Sequence, residues 1–496
     1  MDIGRRHDGP RRGLGRLSVL QRGILHVRRG HGGVLDAEAE RLEAAFHIRR
    51  GNGSSRQAEH VPDRPPHLQY PGFQPAPFLQ EALFIPGGLV HALDHGRRPR
   101  PALVRPRRLG TRARPSRPSR QGRKPVAAAA AYAGPGGRVR IGLDVQTIGR
   151  RRTGDETYYR NLISHYAELG PGHEYWFYYT HPDAEPVLKR FNGRHHDRRL
   201  ALRNALWRVP LAYPWQMLKE PVDVFHTQYV GFAAAGARLV LTVHDLSFEH
   251  YPRTFPAGRA LWLKLTRWSV RAASAVIAVS EHTKNDLVRR YGLAEEKVRV
   301  IHNAAHPRFA PGADPDLLRR LRARWNLRKD FLLCVCSDHP RKNLPRLLAA
   351  FERASRRPGF DWELVLAGPK PDPRAPRGVV YLGYVPDEEL PALYNAASAF
   401  VYPSLYEGFG LPPLEAMSCG TPVIASRSSS LPEVCADAAL YVDPTDVEDM
   451  ARALARMAED PSLRARLKEQ GLRRARLFSW REAARRTLAV YEEVGS

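Results

Sequence analysis

From Val139 onward, short apolar runs alternate with longer stretches in which apolar positions recur every three or four residues. Runs bounded by turn residues read as buried strands, and the longer stretches read as amphipathic helices. The first half yields strands over residues 139–143, 175–179, 222–225, 239–243, 275–279 and 298–301. Helices fall over 157–169, 257–273 and 281–291, the last with Ser280 as N-cap. A second series gives strands over 331–336, 363–367, 379–382, 399–402, 423–425 and 440–442. Its helices cover 344–356, 387–397, 411–417, 447–458 and 461–476, with a final one over 480–494. Strands alternating with helices imply parallel sheets covered on both faces, and two such series imply an α/β chain of two Rossmann-like domains. Ligands of open parallel sheets lie beyond the C-terminal strand ends, so two such edges facing each other would enclose a cleft.

The first 137 residues carry no such pattern. They hold 25 Lys plus Arg against 10 Asp plus Glu, which places +15 of the formal charge of +27 in about a quarter of the chain. Runs such as Arg97-Arg-Pro-Arg100 and Arg112-Ala-Arg-Pro-Ser-Arg-Pro-Ser-Arg120 predict a disordered basic extension. A tail touching anionic lipid or nucleic acid, a targeting presequence and a segment upstream of the natural start all fit it, and the last is favoured. The alanine run at 126–131 is too short to span a bilayer, and no run reaches about 18 apolar residues. The expected chain is therefore soluble or peripheral. The body from residue 138 is only mildly basic, as suits an enzyme that binds phosphates. Four cysteines, Cys334, Cys336, Cys419 and Cys435, read as reduced thiols of a cytoplasmic protein. Cys334 and Cys336 are expected on opposite faces of their strand, without a mutual disulfide.

The stretch from Ser404 to Ile424 is the most informative. It reads strand, glycine-rich loop, helix, strand, with Glu407, Gly408 and Gly410 in the loop and Glu415 about a turn inside a helix that opens on Leu411, Pro412 and Pro413. Glycines at a helix mouth permit close approach of a ligand, and free amides with the helix dipole favour an anion. Two carboxylates beside an anion site suit a sugar phosphate, whose hydroxyls need acceptors while its phosphates need donors.

Glu407-Gly-Phe-Gly-Leu-Pro-Pro-Leu-Glu415-Ala-Met, followed by Cys419-Gly-Thr-Pro-Val and Leu431-Pro-Glu-Val, resembles the retaining nucleotide-sugar glycosyltransferases of family four, with their Glu-x7-Glu motif. The resemblance runs from about Val139 to the C-terminus. It implies the GT-B fold, two Rossmann-like domains facing across a cleft: residues 138–310 for the acceptor, 311–480 for the nucleotide sugar, and a helix over 481–496 crossing back to the first domain. It further implies transfer of a hexose, with mannose favoured, from a nucleoside diphosphate to a hydroxyl of a glycan or lipid-linked acceptor in cell-surface polysaccharide synthesis.

Roles follow residue by residue from the resemblance. Glu407 would orient or electrostatically support the sugar, and Glu415 would accept from the ribose, with Gly408, Phe409, Gly410 and Leu411 lining the donor. Arg341 and Lys342, in Ser337-Asp-His-Pro-Arg-Lys-Asn343, would meet the diphosphate; cations at a helix start oppose its dipole and so want such a reason. Cys336 stands where relatives often have glycine. Tyr384 and Val385, at a strand end, would border the base. His244, in Val243-His-Asp-Leu-Ser247, resembles a histidine near the transferred sugar. In the loop Arg150-Arg-Arg-Thr-Gly-Asp-Glu-Thr-Tyr158, Gly154 is kept and Glu156 replaces a second glycine on the acceptor side. Ser280-Glu-His-Thr-Lys and Ile301-His-Asn-Ala read as structural or hinge-adjacent. No His/Cys cluster has ligand spacing, and no metal and no cofactor are expected. The charge alone would also suit a binder of nucleic acid or membrane with a degenerate transferase body, but no nucleic-acid motif supports the former. An epimerase of the same fold is the nearer rival. The expected location is the cytoplasm, with peripheral contact with an anionic inner membrane face.

Overall fold

A computed structural model of the protein describes residues 137–149 and 154–496. The basic segment at 1–136 and positions 150–153 of the first loop lie outside the described residues. Strands β1 (Arg140–Asp144), β2 (Glu174–Tyr179), β3 (Arg194–Arg199), β4 (Val224–Gln228), β5 (Arg238–Val243), β6 (Ala275–Ala278) and β7 (Val298–Val300) form one sheet in the order β3-β2-β1-β4-β5-β6-β7. Strands β8 (Phe331–Val335), β9 (Glu363–Ala367), β10 (Val379–Gly383), β11 (Ala399–Tyr402), β12 (Val423–Ser426) and β13 (Ala439–Val442) form a second, ordered β10-β9-β8-β11-β12-β13. Every pairing is parallel. These are two Rossmann-like domains in the GT-B arrangement. In both sheets the order reverses beside the first strand of the domain, which is where a doubly wound sheet opens a crevice at its C-terminal edge.

Each sheet is buried on both faces. In the first domain one face packs Ile141, Leu143 and Phe177 into a core with the Gly154–Leu169 and Trp480–Gly495 helices, which contribute Tyr158, Tyr166, Leu488 and Tyr491. The other face packs Phe225 and Leu241 against Val209, Tyr213, Met217, Leu263 and Val270. The last helix lies on the first domain: Tyr491 Oη is 3.1 Å from Tyr166 Oη and 2.5 Å from His226 Nδ1, and Arg481 pairs with Glu168 at 2.8 Å. Burial pushes the His226 imidazole down to about 3, so it serves this contact as a neutral ring.

Three differences from the sequence reading have physical causes. β3 reads Arg-His-His-Asp-Arg-Arg and has no apolar alternation; it is an edge strand, where charge is tolerated and discourages pairing with other chains. The expected helix over 257–273 is two helices, Ala257–Lys264 and Thr266–Ala272, which meet at Leu265. Cys334 and Cys336 do not diverge: residues two apart on an extended chain point to the same face, and the two Sγ atoms approach to 3.6 Å as free thiols. None of the described helices is long and apolar enough to cross a membrane.

Candidate active site

The loops after β8 and β11 leave their sheet at its C-terminal edge and meet there. Beyond Val335 the chain enters a single turn, Pro340–Lys342, started by His339, whose Nδ1 accepts from the Arg341 amide at 3.3 Å. Asn343 ends the turn with φ of 63°, a left-handed conformation that asparagine tolerates better than most residues. Its side-chain amide donates to the carbonyls of Pro403 at 3.1 Å and Pro444 at 2.6 Å, which ties this loop to the one after β11.

That tie brings two separately recognised motifs into one cluster. Lys342 Nζ lies 2.7 Å from Glu407 Oε1, and Arg341 Nη1 lies 2.8 Å from Glu407 Oε2. Lys342 also donates to Tyr402 Oη at 2.5 Å and sits 4.9 Å above that ring, while Arg341 donates to the Tyr406 carbonyl at 2.9 Å. Burial pushes the Glu407 carboxyl up, but Lys342 and Arg341 outweigh it and hold the group at about 2. Burial lowers the Arg341 pKa, and the Glu407 and Asp245 carboxylates more than reverse this, so it stays charged. Two cations share one carboxylate by direct contact, with the Asp245 carboxylate near enough to act on Arg341. His339 beside it is lowered to about 4, by burial and then by Arg341 and Lys342.

Both glycines of the loop stand where a side chain would not fit. A Cβ on Gly408 would fall 1.9 Å from the His244 carbonyl oxygen, so the open side of this residue faces the first domain. The Gly408 carbonyl accepts from Ser280 Oγ at 2.6 Å and Thr283 Oγ1 at 3.3 Å, across the same seam. Gly410 has φ of 106° and packs against Leu431. It opens the Leu411–Ser418 helix, whose first turn lacks two amide donors because Pro412 and Pro413 have none. Phe409 is buried, and its carbonyl, like that of Glu407, accepts from Ser430 Oγ, at 2.8 and 3.0 Å.

His244 is nearly buried at the end of β5. Its ring stands edge-on to Tyr158 at 5.0 Å, and Nε2 is 3.7 Å from Asp155 Oδ1, too far to bond; among the described residues that nitrogen has no hydrogen-bond partner. Gly154 sits opposite Leu411, 3.9 Å from its Cδ1 to the position a Cβ would take. Glu156 is buried and engaged within its own domain, accepting from the Gly149 amide at 3.1 Å and pairing with Arg160 at 2.7 Å. On the other side, Glu415 Oε2 accepts from Tyr394 Oη at 3.1 Å, and burial raises its carboxyl to about 7 against the effect of that bond. Val385 is buried in the core of the second domain, whereas Tyr384 is 72% exposed.

Residues 152–309 match the family described as Glycosyltransferase Family 4, and residues 320–474 match Glycosyl transferases group 1. The chain is 34% identical over 267 residues to O-antigen chain mannosyltransferase B of Escherichia coli, covering 51% of this chain and 70% of that protein. The chain belongs to the GT-B glycosyltransferases of family four. This glycosyltransferase is also 31% identical, over 55% of its length and 70% of the other, to an MMP alpha-(1->4)-mannosyltransferase of Mycolicibacterium hassiacum. Among solved structures, that of Anabaena HepE in complex with UDP-glucose shares the fold, with a TM-score of 0.55 and 19% identity over 72% of this chain and 100% of that one.

Four residues of the glycosyltransferase's cleft had not been singled out. Tyr402 ends β11 and holds Lys342. Tyr406 Oη donates to Asp286 Oδ2 at 2.7 Å and accepts from the Leu246 amide at 3.3 Å, joining the domains. Glu433, in the Leu431-Pro-Glu-Val segment, accepts from the amides of Glu281 at 2.9 Å and His282 at 3.2 Å and pairs with His302 at 2.6 Å. It thus caps a helix of the opposite domain, which gives Ser280-Glu-His-Thr-Lys and Ile301-His-Asn-Ala their place at the seam. Ser430 had only its position before a helix to mark it.

Proposed function

We propose that this chain is a retaining, metal-independent hexosyltransferase that moves mannose from a nucleoside-diphosphate sugar to a hydroxyl of a glycan or lipid-linked acceptor, in the cytoplasm, in cell-surface polysaccharide synthesis. The observation that carries the reading is the clamp of Arg341 and Lys342 on Glu407, at the strand edge of the second domain and opposite His244 of the first. A diphosphate needs cationic hydrogen-bond donors while bound and as it leaves, and Arg341 and Lys342 would supply them without a divalent ion. Glu407, held ionised, can orient the sugar and support positive charge developing at its anomeric carbon. Glu415 would take the ribose hydroxyls, and Tyr384 and Val385 would border the base. His244, with its unpartnered Nε2, would face the sugar, and Gly154 and Glu156 would lie toward the acceptor side. Mannose is favoured because two relatives, each covered over 70% of its length, carry the name mannosyltransferase.

The test is to incubate the purified chain with a panel of nucleotide sugars, with and without EDTA, and follow donor hydrolysis and the anomer of the product. Turnover of a mannosyl donor, insensitive to EDTA and with retention, is the expected result. No turnover of any donor would overturn the transferase assignment; another sugar, loss with EDTA, or inversion would each overturn the corresponding part.

A further inference from the structure

The first domain carries a surface that its transfer chemistry does not use. The stretch 202–219, helical from Ala205, packs Val209, Tyr213 and Met217 inward, and the Ala257–Lys264 and Thr266–Ala272 helices pack Leu263 and Val270 inward, all into the same core on one face of the sheet. Their outward sides therefore look the same way. They are not polar: Trp207, Leu211, Trp215 and Leu218 recur at helical spacing on the first, and Leu261 and Trp268 lie seven apart on the second, all more than half exposed. Eight of the eleven large hydrophobic side chains exposed among the described residues belong to these two stretches, so this is a patch and not ordinary scatter.

The charge around the patch has one sign. Residues 202–219 and 257–273 contain no aspartate or glutamate, while Arg203, Lys219, Arg259, Lys264, Arg267 and Arg271 are all exposed. Arg203, Arg259, Lys264 and Arg267 have no carboxylate within 4 Å among the described residues, and the Lys219 ammonium rests 4.8 Å above the Trp215 ring. Indoles with leucines in one layer, and long cations able to reach past them, are the composition of a surface that lies in the headgroup region of a bilayer. An apolar protein partner would need no such excess of positive charge, whereas anionic lipid does.

We infer that this face of the first domain docks on an anionic membrane surface, with Trp207, Leu211, Trp215 and Trp268 entering the interface and the six cations meeting lipid phosphates. The second stretch begins beside Phe255, whose ring is 5.4 Å from His339 in the cleft, so the docked face adjoins the cleft mouth. The inference stands apart from the assignment of donor and acceptor.

Sedimentation of the full chain with phosphatidylcholine vesicles, with and without phosphatidylglycerol, tests it. The expected result is partition onto the anionic vesicles, weakened by salt. Trp207→Ser/Leu211→Ser/Trp215→Ser and, separately, Lys264→Glu/Arg267→Glu should each lower the partition coefficient by about tenfold or more, with thermal midpoint and donor hydrolysis in solution unchanged. Absence of partition overturns the inference. So does equal partition of parent and variants, which would assign lipid binding to the basic residues before 137. A dimer that the serine variant dissociates, with no lipid effect, would overturn it too and make the face a contact between two copies.

Discussion

Glu407 has two duties in this geometry, toward the sugar and toward the cations that flank it, and substitutions separate them. Glu407→Gln keeps shape and most hydrogen bonding but removes the charge, so kcat should fall by about a hundredfold or more with a small change in donor affinity. Lys342→Ala should lower both, because the diphosphate is charged before and during transfer. Rapid-mix turnover with donor titrations of the two variants decides this: equal affinity losses with turnover intact in Glu407→Gln would leave the glutamate a binding residue only. Glu415 gives a pH test. Its carboxyl is raised to about 7, so between the ordinary value of 4.5 and 7 the folded chain holds a proton that the unfolded chain has lost, and its contribution to stability falls as pH rises through that window. Ribose hydroxyls would favour the charged form, so nucleotide-sugar affinity should rise with pH up to about 7, with proton release on binding. Calorimetry in buffers of different ionisation heat measures that proton. No release, or unchanged affinity in Glu415→Ala where about 1 to 3 kcal/mol of unpaired polar burial is at stake, would remove the ribose assignment.

At the scale of elements, the seam between the loop after β11 and the end of β5 is the sensitive place. Gly408→Ala would put a methyl group 1.9 Å from the His244 carbonyl oxygen, and neither backbone can yield without parting the domains. Turnover should drop by about a hundredfold, the scale of a misplacement of about 1 Å, while free nucleotide binds the second domain nearly as before. Retained turnover would mean that the seam is not closed during transfer. This contact also shows where sequence reading stops. The strands from Phe331 to Val442 were legible because buried parallel strands are apolar throughout, and Glu407, Arg341 and Lys342 were legible as residue types in their loops. That Gly408 makes room for a carbonyl, and that Arg341 and Lys342 close on Glu407, depend on neighbours far away in the chain. β3 was hidden because an edge needs no apolar code, and the helical part of 202–219 because its outward face is as apolar as its inward one.

At the scale of the molecule, the buried cores of the described residues run from Val139 to Tyr491, and the sequence before 137 offers no periodic apolar face to them. Removal of residues 1–136 should accordingly leave donor binding and the thermal midpoint nearly unchanged, and a loss of several degrees would show a structural part for that segment. Removal of residues 480–496 should do the opposite. Trp480, Leu488 and Tyr491 share one core with Ile141, Leu143 and Tyr166, so the truncated chain should show an early transition in the first domain while the second still melts cooperatively. A single unshifted transition would count against this. The same helix sets a schedule on the ribosome. At typical rates of about 5 to 20 residues per second, the sheet begun at β1 waits roughly tens of seconds for the helix that completes it. The domain synthesised first is therefore the one finished last, and its open flank is the part of the nascent protein most in need of a chaperone.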